Sequence, residues 1–215
     1  MIIQTLLIGA SLLAQTPERK FDYNVWMNGT KNGSAQITVK DLAESKRQVL
    51  LTMNLKMAST EVRVRQESIY EKDGAASRKI METTVNGGQR TLVVAELSNK
   101  GATLTTTLNG KTTTEQIPLS AQAPRSNPST FWFDRSQPKP GAKISYYSFE
   151  MTEKQWRLMT SSYVGPKPYK LGGKDVTAHH VIVTRSGVDV DNWMDLTGMP
   201  IALIQGDSMK IERVP

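Results

Sequence analysis

Residues 51–57, Leu-Thr-Met-Asn-Leu-Lys-Met, alternate apolar and polar side chains without a break. Successive side chains of a strand point to opposite faces, so a period of two describes a strand with one buried and one solvated face. Leu51, Met53, Leu55 and Met57 share the apolar face, and Thr52, Asn54 and Lys56 share the other. The same period runs through Ile37-Thr38-Val39-Lys40 and Val62-Arg63-Val64-Arg65. A chain patterned in this way folds as a sheet.

The punctuation agrees with the period. Asn-Gly occurs at 28–29, 32–33, 86–87 and 109–110. This dipeptide tolerates the positive φ angles of a two-residue hairpin turn. Residues 102–108 and 112–117 flank Asn109-Gly110 and should pair. Residues 22–28 and 34–42 should pair across the first glycine-rich turn. Threonine, 22 in all, is β-branched and favours strands. Strands are expected near 22–28, 34–42, 47–58, 61–71, 76–86, 89–98, 102–109, 112–118, 143–151, 155–164, 177–185 and 187–195. Residues 199–213 should hold two more, bent at Gly206. Short consecutive connections make a meander, so the expectation is all-β: one strongly curved, barrel-like antiparallel sheet of about 11–14 strands.

Residues 119–142 break the pattern. They hold Pro124, Pro128, Pro138 and Pro140, with Phe131-Trp132-Phe133 between them. A connection this long usually covers something. Ser129 or Thr130 could cap a short helix through the aromatic trio. The segment reads as a lid or plug on the concave face. Met53, Met57 and Met81 fall on apolar strand faces, and methionine suits surfaces that accept varied apolar partners. Phe131, Trp132 and Phe133 with Met53 and Met57 are therefore the candidate ligand-binding residues. The alternative is an ordinary core with methionine as filler.

Length and composition bound the rest. A chain of 215 residues fits one domain, here 15–215. Residues 2–13 are uncharged and mostly apolar, too short to span a bilayer but suited to a signal peptide over 1–14. The alternative is a buried N-terminal strand or helix. The expected location is periplasmic or secreted. No cysteine is present, which excludes a lipidated cysteine, a disulfide framework and a cysteine nucleophile. No later stretch approaches transmembrane length, so no transmembrane anchor is expected in the mature chain. The net charge of +7 favours anionic partners. The bases lie scattered, as in Lys46-Arg47 and Arg78-Lys79, and read as solvated strand faces. Nucleic-acid binding would want a concentrated stripe, so it is not expected.

Catalytic chemistry has little support. Hydrolase elbows, zinc-protease helices and phosphate loops are missing from the sequence. His179 and His180 are adjacent, so in a strand they face opposite ways and cannot share one metal. Asp189, Asp191 and Asp195 lack the glycine and glutamate of a calcium loop. No metal and no cofactor is expected, and a cysteine-free hydrolase built on either histidine is the remote alternative.

Several motifs resemble one known module. Residues 138–149, Pro-Lys-Pro-Gly-Ala-Lys-Ile-Ser-Tyr-Tyr-Ser-Phe, look like a strand opening of the β-rich modules that precede bacterial transglutaminase-like domains. Tyr163-Val164-Gly165 and Leu171-Gly172-Gly173-Lys174-Asp175-Val176 resemble their next hairpin. Val181-Ile182-Val183-Thr184 resembles the strand that follows it. Asn192-Trp193-Met194-Asp195-Leu196-Thr197-Gly198-Met199-Pro200 resembles their closing hairpin, and Val25-Trp26-Met27-Asn28-Gly29-Thr30-Lys31-Asn32-Gly33 their opening one. The chain is also similar to periplasmic proteins of the lipoprotein-carrier fold. That resemblance implies a curved, unclosed sheet wrapped around a plug. The Cys, His and Asp of a transglutaminase-like core have no counterpart, so the chain resembles the module alone and no catalytic residue is implied.

The expected function is a non-catalytic, exported β-sheet protein that binds an apolar or amphipathic envelope component: a lipid, a lipoprotein segment or a polymer. The alternative is an interaction module that docks another envelope protein through an edge strand or the aromatic loop.

Overall fold

The structure, a computed structural model, describes residues 18–120 and 123–215. The segment read as a signal peptide, 1–14, lies outside the described residues. Eight strands come first: β1 (Arg19–Met27), β2 (Thr30–Asp41), β3 (Arg47–Met57), β4 (Thr60–Tyr70), β5 (Ala76–Val85), β6 (Gln89–Ser98), β7 (Gly101–Leu108) and β8 (Lys111–Pro118). A single helical turn follows, α1 (Trp132–Arg135). Six strands complete the chain: β9 (Lys143–Glu150), β10 (Gln155–Leu171), β11 (Lys174–Arg185), β12 (Val188–Met194), β13 (Pro200–Gln205) and β14 (Met209–Arg213).

All 14 strands form one antiparallel sheet in the order β8-β7-β6-β5-β4-β3-β2-β1-β14-β13-β12-β11-β10-β9. The first and last described strands meet mid-sheet, where β1 pairs with β14. The edges are β8 and β9, which segment 119–142 connects. The sheet is curved and not closed into a barrel, as expected. One reason is visible at β9. The Tyr147 amide donates to the Pro124 carbonyl at 2.8 Å, so the connecting segment occupies that edge.

Three of the four Asn-Gly pairs make the expected turns, each with both residues at positive φ: 49° and 76° at 28–29, 50° and 68° at 86–87, 49° and 79° at 109–110. The fourth does not. Asn32 is the extra residue of a bulge in β2, where the register with β1 shifts between Val25 and Trp26. Its side-chain oxygen accepts from the Met27 amide at 3.1 Å, and its amide nitrogen donates to the Lys56 carbonyl at 3.3 Å. Gly33 beside it lies against β3, and a Cβ there would sit 2.0 Å from the Asn54 oxygen.

The inner face carries the core. Tyr23 and Val25 of β1, Ala35 of β2 and Ile211 of β14 form one buried cluster. A second joins the two ends of the sheet. There Val93, Ala95 and Leu97 of β6 and Ala102 and Leu104 of β7 pack on Phe149 of β9, with Met151 beside it. Trp156 of β10 packs edge-on against Phe149, and its indole nitrogen reaches the Ile117 carbonyl of β8 at 3.4 Å. The ends thus meet through side chains rather than through a strand ladder. Among the described residues, no helix is long and apolar enough to cross a membrane.

Candidate functional site

The connecting segment is anchored on the inner face by an arginine. Arg47 begins β3 in phase with Leu51 and Met53, so it points inward, where it is 2% exposed. Its Nε donates to Asp41 at 2.8 Å, and its remaining nitrogens bond the Thr130 carbonyl and the Asp134 carboxylate. Its guanidinium also lies 4.8 Å from the centre of the Phe131 ring. Burial opposes the charge, but Asp41 and Asp134 outweigh it and hold the guanidinium more firmly protonated than usual. Of the Lys46-Arg47 pair, only Lys46 is on a solvated face. Arg47 belongs to the interior because two carboxylates neutralise it there.

A single 3₁₀ turn at Pro128–Phe131 leads into α1. Its cap is Asn127, whose side-chain oxygen accepts from the Ser129 amide at 3.2 Å. The expected caps, Ser129 and Thr130, fall inside the turn instead, because Pro128 starts it and leaves Asn127 as the flanking residue. Phe131 and Trp132 are buried. Trp132 packs with Tyr163 of β10 and Val181 of β11. Phe133 stacks on His179 at 4.2 Å between ring centres and meets Tyr163 edge-on at 5.2 Å.

Between this segment and the inner face of the sheet lies a cavity of about 300 Å³. Ile37, Val39 and Val49 wall one side, and Tyr146, Phe149 and Trp156 the other. Tyr70, Arg47, Arg125 and Asn127 supply polar groups. Its size is at the lower end of small-molecule sites, which run from about 300 to 1,000 Å³. Burial pushes the phenols of Tyr70 and Tyr146 up, so both stay neutral donors at physiological pH.

Two cations near the cavity lack what Arg47 has. Arg125 donates to Asn99 at 3.2 Å and to the Ala76 carbonyl, and lies 5.6 Å from the centre of the Trp156 ring. Its Nε is buried and has no partner. Lys79 of β5, 7% exposed, donates to the Phe149 carbonyl at 2.7 Å and to the Ser148 hydroxyl at 3.3 Å. Among the described residues, no carboxylate comes within 4.0 Å of either cation. Burial disfavours the charge of both, only partly offset by Asp73 for Arg125 and Glu150 for Lys79.

The candidate residues from the sequence are not gathered into one place. Phe131 and Trp132 are buried at the plug. Met53 packs in the separate cluster around Tyr23 and Val25. Met57, at the end of β3, is 39% exposed. Sequence reasoning passed over Arg47, Lys79 and Arg125. Parity could have found the first two, since Arg47 is in phase with Met53 and Lys79 with Met81. Nothing in the local sequence marks Arg125.

The histidines do face apart. His179 shares a 2.7 Å hydrogen bond with the Tyr163 hydroxyl, while His180 stacks on Trp193 and contacts Asp191 at 2.6 Å. Burial lowers the His179 pKa, with Asp195 opposing, so that ring is neutral. The three aspartates are engaged separately: Asp189 with Thr184, Asp191 with His180, and Asp195 with Thr197 and Arg213.

No known family's sequence pattern matches the chain, and no curated protein matches it in sequence. Solved structures do. A β-barrel-like protein of a domain of unknown function, DUF1849, from Brucella abortus superposes with a TM-score of 0.62 at 10% identity, over 93% of this chain and 96% of that one. A DUF1089 family protein from Pseudomonas aeruginosa gives a TM-score of 0.42 at 14% identity, over 92% and 95%. The first likeness shows a shared β-barrel-like fold.

Proposed function

We propose that this is an exported, non-catalytic binding protein that holds an apolar or amphipathic envelope component against the inner face of its curved sheet. The cavity beneath the connecting segment carries the proposal. It is walled mainly by apolar and aromatic side chains, with a few polar groups converging on it, the usual make-up of a small-molecule site. The motif resemblance to lipoprotein-carrier proteins and transglutaminase-associated modules supports an envelope setting.

Native mass spectrometry of the purified protein, with and without added fatty acid, tests the reading. Added mass released by organic extraction, and fatty-acid quenching that disappears in Trp156→Phe, are expected. A ligand-free mass with unchanged tryptophan emission would overturn it.

One observation favours a second reading. The outer edge of β8 ends the strand order, whereas the edge of β9 is occupied by Pro124. Another envelope protein could add a strand there. Lys111 and Pro118 at its ends work against open-ended association. A stoichiometric partner that is lost when Thr113 is replaced by proline would support this reading over the first.

A further inference from the structure

We infer that the cavity ligand carries an anionic group, and that the Arg125 guanidinium is its seat. This rests on the proposed binding role and names the ligand's chemistry: a carboxylate or similar acid on an apolar body.

The argument starts from two arginines lining one cavity. Arg47 meets Asp41 and Asp134, so its charge is matched within the protein. Arg125 meets only neutral oxygens and the face of Trp156, and its Nε–H has no acceptor. A buried donor without a partner is costly, and the half-buried charge beside it lacks an ion-pair partner. Asp73 and Glu150 offset the charges of Arg125 and Lys79 only in part, and neither forms an ion pair with them. Asp73 accepts from the Ser126 hydroxyl at 2.8 Å and the Ala75 amide at 3.0 Å, and Glu150 pairs with Arg185 at 3.3 Å.

Lys79 adds to the same potential. Its ammonium bonds Ser148 and the carbonyl of Phe149, both residues of the cavity wall. Arg125 thus lines a largely apolar space without an ion-pair partner, and Lys79 stands behind its wall. An anion in that space would neutralise the guanidinium, while the walls of Val39, Val49 and Phe149 would take an alkyl chain. A cationic head would meet two like charges in a poorly solvated site and be rejected.

The test compares three probes of one chain length on the full protein: decanoate, decan-1-ol and decyltrimethylammonium, each displacing a fluorescent fatty-acid analogue. Charge-assisted hydrogen bonds predict that decanoate binds about tenfold or more tightly than decan-1-ol, with the ammonium weakest. Arg125→Met should weaken decanoate far more than decan-1-ol, so that the gap between the two closes. Arg125→Lys should keep part of the preference, which separates charge from folding. Equal affinity for decanoate and decan-1-ol overturns the inference and leaves the binding role standing. So does a decanoate preference that survives Arg125→Met. Failure of all three probes to bind overturns both.

Discussion

Lys79 on β5 donates to the backbone carbonyl of Phe149 on β9 at 2.7 Å. A buried ammonium thus joins the N-terminal strands to the far edge of the sheet, where no strand ladder does. Its hydrogen bonds go to a carbonyl and a hydroxyl, and no acid within the described residues pairs with it.

The position makes stability depend on alkaline pH. Burial lowers the Lys79 pKa below the ordinary 10.5, with Glu150 opposing. The unfolded chain then binds this proton more readily than the folded one, so stability rises as pH climbs toward 10.5. Lys79→Met lacks this component. Urea midpoints measured from neutral pH upward should climb more steeply for the wild type than for Lys79→Met. Parallel curves would refute the assignment.

Arg47 should be among the most sensitive positions in the chain. Replacing it with methionine strands the Asp41 and Asp134 carboxylates and removes the contact with Phe131. The expected loss is about 3 kcal/mol, the low end for breaking a buried pair, because both acids keep some access to water. Adding Asp41→Asn and Asp134→Asn should recover part of it. Denaturant titration of the single and triple variants reads both effects.

Acid should loosen the same anchor. Burial alone would raise the Asp41 carboxyl, but Arg47 outweighs it, helped by Arg19 and Arg135, and holds it below the ordinary 3.8. Asp195 is likewise held low, because its bonds to Thr197, Met199 and Arg213 outweigh burial. A depressed carboxyl stabilises the fold above its unfolded pKa, and that stability is lost as pH falls through the folded one. Melting temperature should therefore drop as pH falls below 3.8. Asp195→Asn should be less stable at neutral pH and lose less on acidification.

The glycines of two Asn-Gly pairs should respond differently to alanine. At Gly110 a Cβ meets nothing within 4 Å, and only the φ of 79° is strained, at about 1–2 kcal/mol. At Gly33 the same atom would fall 2.0 Å from the Asn54 oxygen, so β2 and β3 must separate. Gly33→Ala should lower the melting temperature more than Gly110→Ala. The reverse order would place the bulge elsewhere.

These two glycines also mark how far local sequence reaches. Both follow asparagine, and both read as turns. A turn is set by the φ preferences of its own residues, so Asn109-Gly110 was legible. The bulge at Asn32 depends on side-chain bonds to Met27 and Lys56 on neighbouring strands, which no local pattern encodes. The candidate site divides in the same way. The burial of Phe131 and Trp132 followed from three adjacent aromatics in a long connection. The separation of Met53 and Met57 from them did not, because strand parity fixes which face a side chain takes but not what that face meets.

By itself the sequence determined most of the strands, their antiparallel meander, the turns at most Asn-Gly pairs and the inward phase of β3, because alternation and φ preference are properties of neighbouring residues; it missed the extension of β10 from 165 to 171. Tertiary structure alone decided that β1 and β14 close ranks mid-sheet, that Pro124 bonds the edge of β9, and that Arg47 and Arg125 line one cavity. Those outcomes join residues tens of positions apart. They arise from how a twisted sheet curls until its ends touch, which no stretch of the chain specifies separately.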